Sequence, residues 1–365
     1  MMPFPAPRRP TRRIQLGSVA VGGGAPISVQ TMAKIDTRKP AEVLAQVQAA
    51  ALAGCEIIRV AVADEEAARA LAVIKHGSSI PVIADIHFRH TLALMALEAG
   101  VDGLRINPGN IGSAERVREV VRAARERRVP IRIGVNGGSL EKEILARFGG
   151  PTPEALVESA LGHVRLLEEA DYREIKISVK ASDVPRTVRA YRLLAEKTDY
   201  PLHLGVTEAG TFLAGTVRSS LGIGILLAEG IGDTIRVSLT DTPVREVQVG
   251  LELLRSLGLR PPGPSVTSCP TCGRTRIDVA GIAARVELEL EAFCRAHPGP
   301  YPRVAVMGCV VNGPGEAKEA DIAAAGGDGQ GVIYVRGEPV ARVPEAQIAE
   351  ALMDEVKRWG HKGNV

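Results

Sequence analysis

Nowhere in the 365 residues does an uninterrupted apolar run reach the length of a membrane-spanning helix, so no membrane partner is expected. Aromatic residues are scarce at 3%, too few for a surface that stacks bases. The net charge of +3 is small for this length, and no nucleic-acid partner is expected either. Lysine is rare, ten of the 45 basic residues, the rest being arginine. The five cysteines include only one closely spaced pair, which excludes a disulfide framework and leaves reduced thiols or metal ligands. The opening MMPFPAPRRPTRR lacks the apolar stretch of a secretion signal; a frayed tail on a cytoplasmic protein is expected.

What is there is globular: 45% hydrophobic and 24% charged residues, in a chain too long for one ordinary core. Between about 27 and 257 a short β-branched run, a turn and a helix-period segment recur. The strand candidates are 27–31, 57–62, 82–86, 103–107, 131–136, 175–181, 202–207 and 234–240. Eight such units over roughly 230 residues predict a (β/α)8 TIM-type barrel, typically about 250 residues long. The segment LRPPGPSVTS (259–268), with three prolines, predicts a boundary between a barrel over 1–258 and a small α+β domain over 259–365. That second region holds CPTCGR, a helix near 279–295, the strand RVAVMG, a Gly-rich stretch AAAGGDGQG, a hairpin-like VIYVRGEPVARV and a helix over 344–359. GILLAEGIGD (224–233) precedes a strand rather than opening a helix after one, so it predicts a helix stop and a turn, not a phosphate loop.

Barrel active sites lie at the C-terminal strand ends, and period-two spacing shows which side chains can converge there. The fourth strand offers Arg105 and Asn107, and the fifth Arg132 and Asn136. The sixth offers Lys176, Ser178 and Lys180, and the eighth Arg236, Ser238 and Thr240. Arg59 in the second strand, Asp85 and His87 after the third, and His203, Thr207 and Glu208 at the seventh complete the set. Cations recur at strand after strand with too few carboxylates to neutralise them, a costly pattern unless the ligand is anionic, such as a phosphate or diphosphate. Asp85 and Glu208 are placed to handle hydroxyls or protons.

Cys269 and Cys272, in CPTC, have the spacing that lets two thiolates reach one metal centre. Redox dithiols share it but sit at helix starts, whereas a proline-rich linker precedes this pair. Cys309, between RVAVMG and the turn-rich NGPG, is the natural third ligand, and Glu316 is a nearby carboxylate. Cys55, in AALAGCEIIRV, fits a buried barrel position. Cys294 and His297 would complete a passable zinc set with the CPTC pair. Cys294 also fits the apolar side of a helix, however, and zinc leaves the loop around Cys309 unexplained. Spacing therefore favours iron–sulfur over zinc without closing the choice.

The motifs SCPTCGR, MGCVVNGPGEA, VADIHF, LRINPGNIG, IRIGVNGGSL, IKISVKASDV and LGVTEAG, running from about 28 to 320, together resemble the bacterial 4-hydroxy-3-methylbut-2-en-1-yl diphosphate synthases. The resemblance implies a (β/α)8 barrel followed by an iron–sulfur domain similar to those of sulfite and nitrite reductases. It implies a 4Fe-4S cluster held by Cys269, Cys272, Cys309 and, as the unusual fourth ligand, Glu316; that Glu316 yields when substrate binds is a further expectation. The implied reaction is reductive ring opening, with loss of water, of 2-C-methyl-D-erythritol 2,4-cyclodiphosphate. Electrons would come singly from ferredoxin or flavodoxin. By motif, Arg59, Arg105, Arg132 and Lys180 would clamp the diphosphate, with Asp85, Asn107, Asn136 and Ser238 as further contacts and Glu208 as the acid–base group. A head-to-tail homodimer is implied, without the extra domain of the plant form, since the chain passes directly from the eighth unit to CPTC. The register of the second strand decides whether Arg59 reaches the pocket. The rival expectations are an iron–sulfur hydro-lyase acting on a phosphorylated substrate without net reduction, and a zinc-binding module.

Overall fold

The computed structural model describes residues 4–297, 299, 301–309 and 313–362. The chain forms two compact units, one ending at Arg260 and the other starting at Pro261.

The first unit opens with a hairpin, β1 (Ile14–Leu16) and β2 (Val19–Val21). Eight parallel strands follow: β3 (Ser28–Met32), β4 (Ile57–Val62), β5 (Val82–Ile86), β6 (Gly103–Ile106), β7 (Ile131–Asn136), β8 (Ile175–Lys180), β9 (His203–Leu204) and β10 (Thr234–Ile235). They pair in the order β8-β7-β6-β5-β4-β3-β10-β9, and a bridge between Ile177 and Leu202 brings β9 back to β8. This is the expected (β/α)8 barrel. Its helices start where sequence signals place them: Asp64, Thr152, Asp183 and Thr242 each accept a hydrogen bond from the backbone N–H three residues on, and proline follows within two residues of the last three. The outward face of the strands packs Val29, Ile58, Val60, Ile133 and Ile177 into one core with the surrounding helices.

Two expectations change. β9 and β10 are shorter than 202–207 and 234–240, with the chain beyond them held by single bonds such as Arg236 N–H to Leu204 O (3.0 Å) and Thr207 N–H to Ala181 O (3.1 Å). Nor is the N-terminal segment a frayed tail from residue 4 onward. Ala6 N–H bonds Ala228 O (2.8 Å) and Arg9 N–H bonds Gly230 O (2.9 Å). Arg8 pairs with Asp233 (2.9 Å), and Arg9 donates to the carbonyls of Thr198 and Tyr200. The hairpin that follows floors the barrel: Ile14, Leu16 and Val21 cluster with Ile57 and Ile83, at or near the starts of their strands. Below is an apolar plug; above it, the interior turns polar.

The second unit is a five-stranded sheet, β11 (Val266–Ser268), β12 (Val304–Met307), β13 (Ile322–Gly327), β14 (Gln330–Val335) and β15 (Glu338–Pro344), in that order. The first three strands are parallel and the last two antiparallel. Helices Val279–Ala296 and Ile348–Lys362 pack on it around Val286, Leu290, Leu352 and Val356. The Gly-rich AAAGGDGQG forms most of β13 and the turn after it. Alanine and glycine hide the strand signal, but their small size is what the packing needs: a Cβ on Gly326 would strike the Ile277 side chain.

Candidate active site

A pocket of about 180 Å³ opens inside the barrel, lined by Arg59, Asp85, His87, Arg105, Arg132, Asn136, Ser178, Lys180, Thr207, Arg236 and Ser238. Period-two alternation delivers them. In neighbouring strands Arg105 sits opposite Arg132, Gly134 opposite Ser178 and Asn136 opposite Lys180, so one face of the ladder carries the polar set. Strand β4 turns Arg59 inward, which answers the register question. Five lining side chains are Arg or Lys, and Asp85 is the one carboxylate among them.

Asp85 holds the cations in order. Arg105 Nη1 donates to its Oδ1 (3.1 Å), and Arg59 Nε lies 3.4 Å from Oδ2. The second arm of Arg105 donates to Gly134 O (3.1 Å), and its Nη1 is 2.9 Å from His87 Nε2, a contact in which only an unprotonated ring nitrogen can accept. Burial alone would raise the Asp85 carboxyl, but the Arg59, Arg105 and Arg132 charges hold it well below the carboxylate range. The cations move the other way. Burial lowers Arg59 to about 10 and pushes Arg132 and Lys180 well below their ordinary values, with the neighbouring arginines adding to the effect. Basic side chains crowded at buried strand positions with a single carboxylate among them form an anion receptor whose donors need no reorganisation.

Two glycines make this crowding possible. A Cβ on Gly134 would strike the Arg105 guanidinium, and one on Gly205 would come within 2.7 Å of Lys180 Nζ. Their contribution cannot be read from a list of polar residues, because it consists of space. Arg236, His87, Ser178 and Thr207 also join the lining beyond the eight substrate contacts named from sequence; all four are among the polar residues the sequence places at strand ends. Arg236 is further paired to the buried Glu246 at 3.5 Å.

Two expected residues lie apart from the lining. Asn107 is buried and its Nδ2 lies 3.4 Å from Ser139 O. Glu208 stands exposed just beyond β9 with φ of 51°, a left-handed backbone that costs a non-glycine residue about 1 kcal/mol and that here sets the course of the rim.

In the second unit, Cys269 follows β11 and Cys309 follows the neighbouring parallel strand β12 after one glycine, so the pairing of Ser268 with Val306 brings the two turns side by side. Gly308 N–H donates to Cys269 Sγ (3.2 Å). The CPTC turn is closed by Cys272 N–H to Thr275 Oγ1 (3.0 Å) and tied to the Cys309 turn by Arg276 N–H to Gly308 O (3.0 Å). Glu316 is exposed in the short helix Gly313–Ala317, and residues 310–312, between Cys309 and that helix, lie outside the described residues. Among the described residues no three His, Cys, Asp or Glu side chains are gathered tightly enough to hold a metal ion. The donor chemistry nonetheless fits an iron–sulfur group: accessible thiols at paired turns, one already accepting an N–H bond. The zinc alternative fits worse. Cys294 is packed in the unit's core, where burial pushes its thiol up to about 11, and the His297 ring stacks on Phe293 (centroids 4.4 Å apart). Cys55 is likewise buried, its thiol also pushed up to about 11.

Comparison with known proteins agrees with both units. Residues 11–251 match the GcpE TIM-barrel domain and residues 265–358 the GcpE protein C-terminal domain. A protein of Geobacter sulfurreducens named 4-hydroxy-3-methylbut-2-en-1-yl diphosphate synthase (flavodoxin) is 62% identical over 348 residues, covering 95% of this chain and 97% of the relative. Relatives of the same name from Maridesulfovibrio salexigens (58% identical, 92% of each chain) and Symbiobacterium thermophilum (55% identical, 96% of this chain and 94% of the relative) match as closely in extent. The chain belongs to the GcpE family.

Proposed function

We propose that this protein is a 4-hydroxy-3-methylbut-2-en-1-yl diphosphate synthase that opens 2-C-methyl-D-erythritol 2,4-cyclodiphosphate reductively, drawing two electrons from flavodoxin. The observation that carries the reading is the excess of five cations over one carboxylate in the barrel pocket, in a chain 62% identical to a relative of that name. The chemistry explains the excess. The substrate is a dianion, and breaking its ring C–O bond leaves the electron pair on a phosphate oxygen. With two electrons and one proton taken up and water released, the product carries one more negative charge. Arg59, Arg105, Arg132 and Lys180, with Arg236, stabilise that developing charge, and they favour the opened diphosphate over the ring. Asn136 and Ser238 offer neutral contacts to its hydroxyls. Asp85, held ionised, keeps Arg59 and Arg105 aimed rather than binding an anion itself. Asn107 supports the rim through Ser139, and Glu208, on the same rim, supplies the proton that the departing hydroxyl needs.

Cys269, Cys272 and Cys309 would hold a 4Fe-4S cluster, with Glu316 as the weaker fourth ligand. When bound, the cluster supplies electrons one at a time. Homodimer formation is supported by an apolar stripe, Leu213, Val217, Leu221 and Ile225, exposed at four-residue spacing along the helix Phe212–Ala228. No helix of the described residues is long and apolar enough to cross a membrane, consistent with a cytoplasmic enzyme.

The test is anaerobic turnover of the cyclodiphosphate with reduced flavodoxin. Formation of the open allylic diphosphate with the reductant, and none without it, is expected. Dehydration in the absence of any reductant would overturn the reading in favour of a hydro-lyase.

A further inference from the structure

One rung below the pocket floor the barrel contains a cation that the reaction as described does not use. Lys176 is 1% exposed, and its Nζ has no hydrogen-bond partner among the described residues. It lies opposite Arg132, whose Nε and Nη1 also lack partners. The groups that face it are Arg132 from β7, His203 from β9 and Asp233 at the start of β10, with Lys180 on its own strand. His203 is itself buried, with Nδ1 2.8 Å from Thr234 Oγ1, and burial and the surrounding cations hold it neutral.

The nearby carboxylates are all engaged elsewhere. Asp233 takes Arg8 (2.9 Å), Thr11 Oγ1 (3.0 Å) and Leu202 N–H (2.9 Å). Asp85 is held by Arg59 and Arg105, and Glu246 by Lys34 (2.9 Å), Thr31 and Leu239 N–H (3.0 Å). Charging Lys176 in the free protein would therefore bury one more cation beside Arg132, with only Asp233, already shared among three other donors, to offset it.

We propose that binding of the anionic substrate is coupled to proton uptake at Lys176, a positioning residue that becomes the inner counter-cation of the bound diphosphate. The inference rests on the pocket being the diphosphate site. Burial, and then Arg132, lower the Lys176 amine to about 7, so in the free protein it loses its proton near neutrality. A dianion above it reverses the sign of the local field and restores the proton. The sign follows by linkage: below pH 7 the amine is already charged and binding takes up nothing there. Above pH 7 binding takes up a proton at Lys176, beside any taken up at Lys180, whose amine burial and the arginines also hold low, and affinity falls as pH rises.

The test uses the cluster-loaded protein, without reductant, and the cyclodiphosphate, whose two phosphates each keep a single permanent charge near neutrality. Calorimetric titration at pH 8 in two buffers of different ionisation enthalpy counts the protons. The wild type is expected to take up nearly one proton more per site than Lys176→Met, a variant that fills the same volume without an amine and is expected to melt no lower. Equal uptake by the two proteins would overturn the inference and leave the pocket reading standing. So would a wild-type Kd that stays flat from pH 6 to pH 9, a result that needs no variant. Absence of binding would overturn the pocket reading and this inference together.

Discussion

The barrel mouth and the cysteine turns carry the two halves of one proposed chemistry on opposite structural terms. In the barrel, Arg59, Arg105, Arg132 and Lys180 are buried on paired strands and already aimed by Asp85 and by the space that Gly134 and Gly205 leave. In the second unit Cys272 and Glu316 are exposed, Cys269 and Cys309 half-buried, and all four sit on turns or a single helical turn. The difference teaches where the organisation resides. Binding an anion requires charges fixed in advance, which only strand register supplies. Holding a cluster requires thiols on adaptable turns, since metal–ligand bonds are strong enough to set the final geometry.

The largest effect expected on this contrast comes from Cys309→Ala. It should lose the brown colour and the iron and sulfide content, with turnover falling to background, while leaving the barrel pocket intact. Gly134→Ala comes next and acts in the opposite unit. Its methyl group pushes the Arg105 guanidinium off Asp85, so kcat/KM should fall on the order of 10- to 100-fold with iron content unchanged. The smallest is Cys294→Ala: a core thiol removed at a cost of about 1 kcal/mol in thermal unfolding, with iron content and turnover as in the wild type. Loss of the cluster in that variant would break the contrast by showing a ligand where the structure places packing.

Legibility in the sequence follows the same divide. The barrel and most of its lining were readable because the alternation of strand residues converts position into direction: Arg132 and Asn136, or Ser178 and Lys180, must share a face. What escaped was written in other signals. The N-terminal strap is fixed by arginine side chains reaching backbone carbonyls, an interaction without periodicity. Gly134 and Gly205 contribute by lacking a side chain, and β13 is built of residues too small to show a strand pattern. The placement of Glu208 depends on a local left-handed backbone that its residue type does not announce. For the proposed cluster ligands, spacing singles out the thiols, whereas Glu316 comes from family resemblance alone.

The division of labour is tested most directly by titrating the cyclodiphosphate, without reductant, into two variants. Cluster-free Cys309→Ala is predicted to bind it with near wild-type affinity. Arg105→Met, with its full complement of iron, is predicted to bind roughly 10- to 100-fold more weakly, the loss of a charged hydrogen-bonding partner. The reverse pattern, in which losing the cluster abolishes binding while losing Arg105 does not, would contradict the assignment of anion recognition to the barrel.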